Sequence, residues 1–234
     1  MIGYDPFIPY TDWSALDFAV APWRMLERFG NLILRRRRTE DIPKVLELMR
    51  RVYQPPHGPE AIWRQEAMAE HERRFREGQL MMLNPSGCVV ADSTAVILPR
   101  ELALRPHTWK EATDRGTLGT HDPDGDVFYG VDIAVDPDYQ GQGLARRLYE
   151  ARMAVARRMG CRWFAAGARI PGYHLLQDLL SPSAYVAEVV KGTLFDPTLT
   201  KQLRMGFTVL FMLPNYLKDV ECCDHAVLIA KPVL

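Results

Sequence analysis

The sequence predicts an α/β (α+β) fold with a mixed central sheet flanked by helices, and three observations carry that prediction. An apolar run, Asp126-Val-Phe-Tyr-Gly-Val-Asp-Ile-Ala-Val135, enters a turn with two glycines and continues directly into an amphipathic helix. Two further β-runs, Gln79 to Leu83 and Cys88 to Leu98, flank Asn84-Pro-Ser-Gly87, which has the composition of a tight turn. The chain closes on a second apolar pair, Met205 to Leu213 and His225 to Ala230, read as antiparallel strands.

Composition narrows the function. At 234 residues and 47% hydrophobic the chain suits one large domain, or one domain with an extension, and has enough apolar residues for a core. Lys plus Arg and Asp plus Glu are both 29, so no global field recruits nucleic acid or an anionic membrane. Cys88, Cys161, Cys222 and Cys223 have neither metal-ligand spacing nor the density of a disulfide scaffold, so no metal is expected and a reducing cytoplasm is the simplest home. No run of about 18 apolar residues reads as a membrane span.

Residues 1–31 are rich in aromatics, Tyr4, Phe7, Tyr10, Trp13, Phe18, Trp23 and Phe29, and read as an extension that packs on the domain or on a second copy, making a homodimer. A helix starting at Thr11 or Ser14 is expected to run through Leu26 to Phe29, with Gly30-Asn31 ending it. The main domain is expected over 32–234. Leu32 to Arg38 reads as a strand with a solvated, arginine-rich end, and Thr39-Glu-Asp-Ile-Pro43 as a helix start. Ile42, Val45, Leu46, Met49, Val52 and Tyr53 then form one helical face, stopped by Pro55-Pro56. A second helix is expected from Pro59 to about Glu77, ended by Gly78. Pro99 to Gly125 reads as a long functional loop. Arg162 to Ala168 is the strand after the central helix, and Tyr173 to about Thr200 is mixed helix and loop.

The glycine turn carries the chemistry. Gly141 and Gly143 let a ligand reach bare backbone and permit positive φ, and the helix that follows starts with unsatisfied N–H groups reinforced by Arg146 and Arg147. A phosphate is favoured there. The chain has no G-x-x-x-x-G-K-[ST], and a dinucleotide fingerprint would need glycine where Arg146 stands. What fits is Gln140-x-x-Gly143-x-Ala145, and this segment closely resembles the GNAT superfamily of N-acetyltransferases, over residues from about 32 to 231. Gly167 to Tyr173 with Gly206-Phe207 looks like the subgroup also found joined to nitrilase-like amidohydrolases.

The resemblance implies that acetyl-coenzyme A is the co-substrate, its pyrophosphate held by Gln140, Gly141, Gln142, Gly143, Leu144, Ala145 and Arg146. It implies that the coenzyme arm runs along the main chain of Ile133, Ala134 and Val135, with Trp163 to Ala168 splaying away to open a slot. The reaction it implies is direct attack of a primary amine, on a small molecule or peptide, upon the thioester. An alkyl amine has a pKa of about 10, so a base must take its proton. Asp132 is a candidate base, placed by strict alternation on the face opposite Val131, Ile133 and Val135. Tyr129 shares the Ile133 face, at a position where some relatives carry glutamate, but a tyrosine is a poor base at neutral pH. The family often places a tyrosine, acid to the leaving thiolate, four residues before the Gly-Phe pair; Gln202 stands there, leaving Tyr173, Tyr185 or water to substitute. Acceptor choice is expected from Pro99 to Gly125 with Arg169 to His174, through His107, Trp109, His121, Arg169 and Tyr173. A non-catalytic acyl-CoA sensor, or an interaction module working through the aromatic arm, are the alternatives.

Overall fold

The computed structural model describes residues 25–57 and 61–233. In chain order the elements are β1 (Met25–Phe29), β2 (Leu32–Arg36), α1 (Ile42–Val52), α2 (Gln65–Phe75), β3 (Leu80–Leu83), β4 (Val89–Leu98), α3 (Arg100–Ala103), α4 (Trp109–Thr113), β5 (Val127–Val135), α5 (Leu144–Arg158), β6 (Trp163–Arg169), α6 (Pro182–Lys191), α7 (Leu199–Arg204), β7 (Thr208–Leu213) and β8 (Ala226–Pro232). The strands form one eight-stranded sheet in the order β1-β2-β3-β4-β5-β6-β8-β7. Every neighbouring pair is antiparallel except β5 and β6, so the sheet is mixed as expected.

Helix α5 covers one face. Its Leu144, Leu148 and Val155 pack with Ala95, Ile97, Phe128 and Phe164 in the largest core. On the other face α1 and α2 bring Ile42, Val45, Leu48, Met49 and Met68 onto Met81, Val89 and Ala134, while Ala103 and Ala112 of α3 and α4 cover Leu98, Val127 and Tyr129. Each fully buried Leu- or Phe-sized side chain contributes about 1.5–3 kcal/mol.

Four local expectations give way to tertiary structure. Met25–Phe29 is a strand, not the end of a helix, because Gly30 at φ +59° opens a two-residue hairpin turn that pairs Phe29 with Leu32; the aromatic residues up to Trp23 lie outside the described residues. Helix α2 begins at Gln65 rather than Pro59. Arg64 is extended, and Trp63 before it is spent on long-range contacts that a helix would break. The arginine run is not a solvated strand end either: Arg36 and Arg37 are 3% and 2% exposed, Arg37 being bound by Glu72 and Asp92, each at 3.0 Å. Pro99 to Gly125 is a packed segment, not an open loop. Its α4 carries a capping box in which Thr108 Oγ1 accepts from Glu111 N and the Glu111 carboxylate accepts from Thr108 N, and Ala103, Ala112, Thr113 and Leu118 are buried.

Two irregularities position the site. β5 and β6 pair from Val127↔Trp163 to Gly130↔Ala166 and then part: Asp132–Val135 stay with β4, while Gly167–Arg169 stay with β8. A Cβ at Gly167 would lie 2.2 Å from the Tyr216 ring, so glycine is what admits that ring beside the parted strand. Opposite, Thr94 pairs with Asp132 but Ala95 with Gly130, so Val131 is an extra, bulged residue. The bulge breaks strict alternation. Asp132 therefore projects on the Tyr129 side of the sheet, towards α1 and α2, and Tyr129 does not share the Ile133 face as expected; Ile133 and Val135 pack on the α5 side.

Candidate functional site

The end of β5 leads into a loop built from within. Asp136 caps Asp138 N at 3.0 Å and pairs with Arg51 of α1 at 2.7 Å, and the Gln140 side chain donates to Val135 O at 3.3 Å. Gly141 and Gly143 lie at φ +76° and +85°, the left-handed region that disfavours a side chain. The first N–H of α5 with an acceptor is that of Arg147, bound by Gly143 O at 3.1 Å. Those of Gly141 to Arg146 have no backbone acceptor among the described residues. Both glycines face open space, and Arg146 extends its guanidinium to Glu150 at the exposed helix surface. Open backbone donors at the positive end of a 15-residue helix fit a pyrophosphate.

Past Gly130 the β5 edge towards β6 is unpaired through Ile133, Ala134 and Val135, so their backbone lines the slot. On the α1 and α2 side Asp132 borders this opening. Its Oδ1 accepts from Tyr53 OH at 2.6 Å and its Oδ2 from Trp63 Nε1 at 3.2 Å. Burial, then the Asp132 charge, pushes the Tyr53 phenol well above its ordinary value. Trp63 is braced in turn by Trp109, ring centroids 5.2 Å apart, and by His71 edge-on at 4.7 Å. Trp109 thus supports the site through Trp63.

His71 is wholly buried, bonded by Nε2 to Gly116 O at 2.8 Å, and burial pulls its pKa down to about 3. A neutral, buried histidine favours the folded state above the unfolded pKa of about 6.5, and that contribution is lost as pH falls from there towards 3. Burial acts the other way on Glu72 and Asp92, raised to about 7 and about 6, whose contributions are lost as pH rises, so a difference measurement isolates the histidine. The unfolding free energy of the wild type relative to His71→Gln should fall by about 1.4 kcal/mol per pH unit below 6.5. A difference independent of pH in denaturant titrations would refute it.

The opposite limb ends on Arg169, which pairs with Asp219 and, at 2.8 Å, with Glu221. Burial opposes the Asp219 charge, but the hydrogen bond from Arg169 holds that carboxyl below its usual range. The Arg169 charge is therefore already compensated within the chain. His57, from the α1–α2 connection, places Nε2 3.7 Å from Glu221 Oε2, linking the two sides of the slot. His57, Asp219 and Glu221 could converge on one ion, their ligand atoms lying within 4.8 Å, but both carboxylates are engaged by Arg169.

Other predicted residues stand apart from the slot. Tyr129 is 0% exposed, its hydroxyl bonded to His107 Nε2 at 2.7 Å and Tyr216 OH at 2.9 Å, and burial pushes its phenol well above the ordinary value, which removes it as a base. His121 stacks on Phe75 at 4.7 Å, and its Nδ1 accepts from the N–H of Ile97, whose β5 partner is Phe128, upstream of the split. It does not border the opening. Tyr173 donates to Leu180 O at 3.2 Å and Tyr185 to Asp196 at 2.9 Å, so both hydroxyls are occupied elsewhere. Sequence reasoning missed Tyr53, His57, Trp63 and Glu221. Tyr53 stood on the predicted apolar face of α1 and Trp63 inside a predicted helix, so neither carried a local polar signal.

Residues 42–171 match the model of the Acetyltransferase (GNAT) family. The chain belongs to the GNAT acetyltransferase family. It is 32% identical over 201 residues to the uncharacterized N-acetyltransferase YkwB of Bacillus subtilis (strain 168), covering 86% of this chain and 88% of YkwB. It is also 33% identical over 195 residues to the probable hydrolase YhcX of the same organism, covering 83% of this chain but 37% of YhcX. Among solved structures, the GphF GNAT-like decarboxylase in complex with isobutyryl-CoA superposes with a TM-score of 0.73 at 21% identity, over 86% of this chain and 99% of that one. At that identity the likeness speaks for the fold.

Proposed function

We propose that the protein transfers an acyl group, acetyl first among them, from acyl-CoA to a primary amine of a small molecule or peptide by direct attack on the thioester. The observation that carries this reading is the parting of β5 from β6 directly upstream of a loop with open N–H groups, with Asp132 at the border of the opening. Gln140 to Arg146 hold the pyrophosphate, and the backbone of Ile133 to Val135 holds the arm. The family membership and the isobutyryl-CoA bound by the GphF decarboxylase support an acyl-CoA ligand.

An amine with a pKa of about 10 is unprotonated in roughly one molecule in a thousand at pH 7, so a base at the slot is worth up to about that factor. Asp132 is placed for it. Both of its oxygens accept from neutral donors, which orient the carboxylate without cancelling its charge. A screen of amine classes with acetyl-CoA, read by thiol release, tests the reading: turnover that depends on the amine supports it. Tight acyl-CoA binding with no thiol release for any amine would instead favour a sensor, the reading to which the absence of tyrosine at Gln202 lends weight.

A further inference from the structure

Two glycines flank the point where the strands part. Gly130 is the last residue of β5 paired with β6, and Gly167 is the first residue of β6 left without a β5 partner. Neither has room behind it. On the α5 side a Cβ at Gly130 would overlap Nη2 of Arg152 and come within 3.3 Å of Phe164, and Arg152 is pinned there by donating to Thr94 O at 3.1 Å. On the side where Asp132 projects, a Cβ at Gly167 would overlap the Tyr216 ring. The apex of the slot is therefore covered on both faces by a side chain that packs on bare glycine backbone.

Tyr216 is fixed at both ends. Its N–H donates to Asp224 O and its C=O accepts from Trp109 N, each at 2.8 Å, while its hydroxyl is bonded to that of Tyr129 at 2.9 Å. Tyr129 is held in turn by His107 Nε2 at 2.7 Å. Tyr216 is buried, so its ring cannot swing aside without breaking hydrogen bonds in a desolvated network. Gly167 itself is only half-buried, and the backbone under the ring borders the opening.

We infer that Tyr216 is the wall that sets acyl-chain length, so that the site takes acetyl and excludes butyryl and longer chains. The inference rests on the acyl-CoA reading of the site. With the pyrophosphate on the glycine loop and the arm along Val135 to Ile133, the free end of the coenzyme points back along β5 towards Gly130. The acyl group leads, and the apex is what it meets. An acetyl group ends at its methyl, whereas each further methylene pushes towards the Tyr216 ring. A tail turned to the α5 side fares no better, because it meets a buried guanidinium whose Nε has no partner and which an alkyl chain cannot satisfy. The Tyr216 hydroxyl is engaged by Tyr129, so its role is one of shape and not of proton transfer.

Calorimetric titration with CoA, acetyl-CoA, propionyl-CoA and butyryl-CoA tests this without an acceptor amine. The wild type should bind acetyl-CoA about as tightly as CoA, and butyryl-CoA at least about tenfold more weakly, since overpacking against a fixed wall is penalised on that scale. Tyr216→Leu removes the far end of the ring and should narrow the gap between acetyl- and butyryl-CoA to about threefold or less, whereas Tyr216→Phe keeps the ring and should keep the gap. Affinity for unacylated CoA is the reference within each protein. A wild type that binds butyryl-CoA as tightly as acetyl-CoA overturns the assignment, whether or not a variant folds. A gap as wide in a folded Tyr216→Leu as in the wild type overturns it too. A wild type that binds no CoA refutes the acyl-CoA site itself, an outcome distinct from CoA binding without chain-length preference.

Discussion

Gly143→Asp loses acyl-CoA binding by at least about a hundredfold while remaining folded. Gly143 is the N-cap of α5 at φ +85°, and a Cβ built on it meets nothing within 4 Å, so the protein can house the side chain. Aspartate tolerates the left-handed region better than most residues, at a cost of about 1 kcal/mol. The ligand cannot house it. A carboxylate about 5 Å from a pyrophosphate at an effective dielectric of about 20 costs about 3 kcal/mol, a factor of about 100, and its bulk removes close backbone approach as well. Gly143→Asn, nearly the same shape without charge, should lose much less. Calorimetric titration with acetyl-CoA, alongside the thermal midpoint of each variant, separates binding from folding. Unchanged affinity in the aspartate variant would show that the loop is not the coenzyme site.

Asp132→Asn should lower kcat by about two to three orders of magnitude and leave acetyl-CoA affinity intact, since removing a general base typically costs 10²- to 10⁴-fold. Asparagine keeps the shape, and its amide can still accept from one of Tyr53 and Trp63 and donate to the other's oxygen if that is the phenol, so the local packing survives. What disappears is the carboxylate beside the slot. His57 gives the contrasting outcome, because it also borders the opening, its ring 5.7 Å from that of Tyr53. Full activity in Asp132→Asn together with loss in His57→Gln would move the base to the histidine.

The elements that were legible are those whose signals are local. The β5 run, the glycine turn and α5 follow one another without interruption, and each rests on residues adjacent in sequence: an apolar strand, two glycines at positive φ and a helical apolar period. The β3–β4 hairpin was legible for the same reason, with Asn84 and Cys88 closing its turn. Where a residue's conformation is decided by a distant partner, local reading failed. Trp63 lies outside α2 because Asp132, 69 positions away, accepts its indole N–H. Arg37 is buried because Glu72, Gln79 and Asp92 come together around it.

The candidate site divides along the same line. The sequence by itself determined the family, the mixed sheet and the glycine loop between β5 and α5, because helix starts, glycine turns and apolar periods depend on short-range sterics and hydrogen bonds. Which face Asp132 occupies was decided by one bulged residue, Val131, and a bulge is a property of two strands in register, not of either alone. Tertiary structure alone decided that Tyr129 is sealed in a core with His107 and Tyr216, that Arg169 is neutralised by Asp219 and Glu221, and that Gln202 meets Tyr149 across 53 residues. Side-chain chemistry of that kind depends on desolvation and on which charge stands within a few ångströms, and neither quantity exists until the chain has closed on itself.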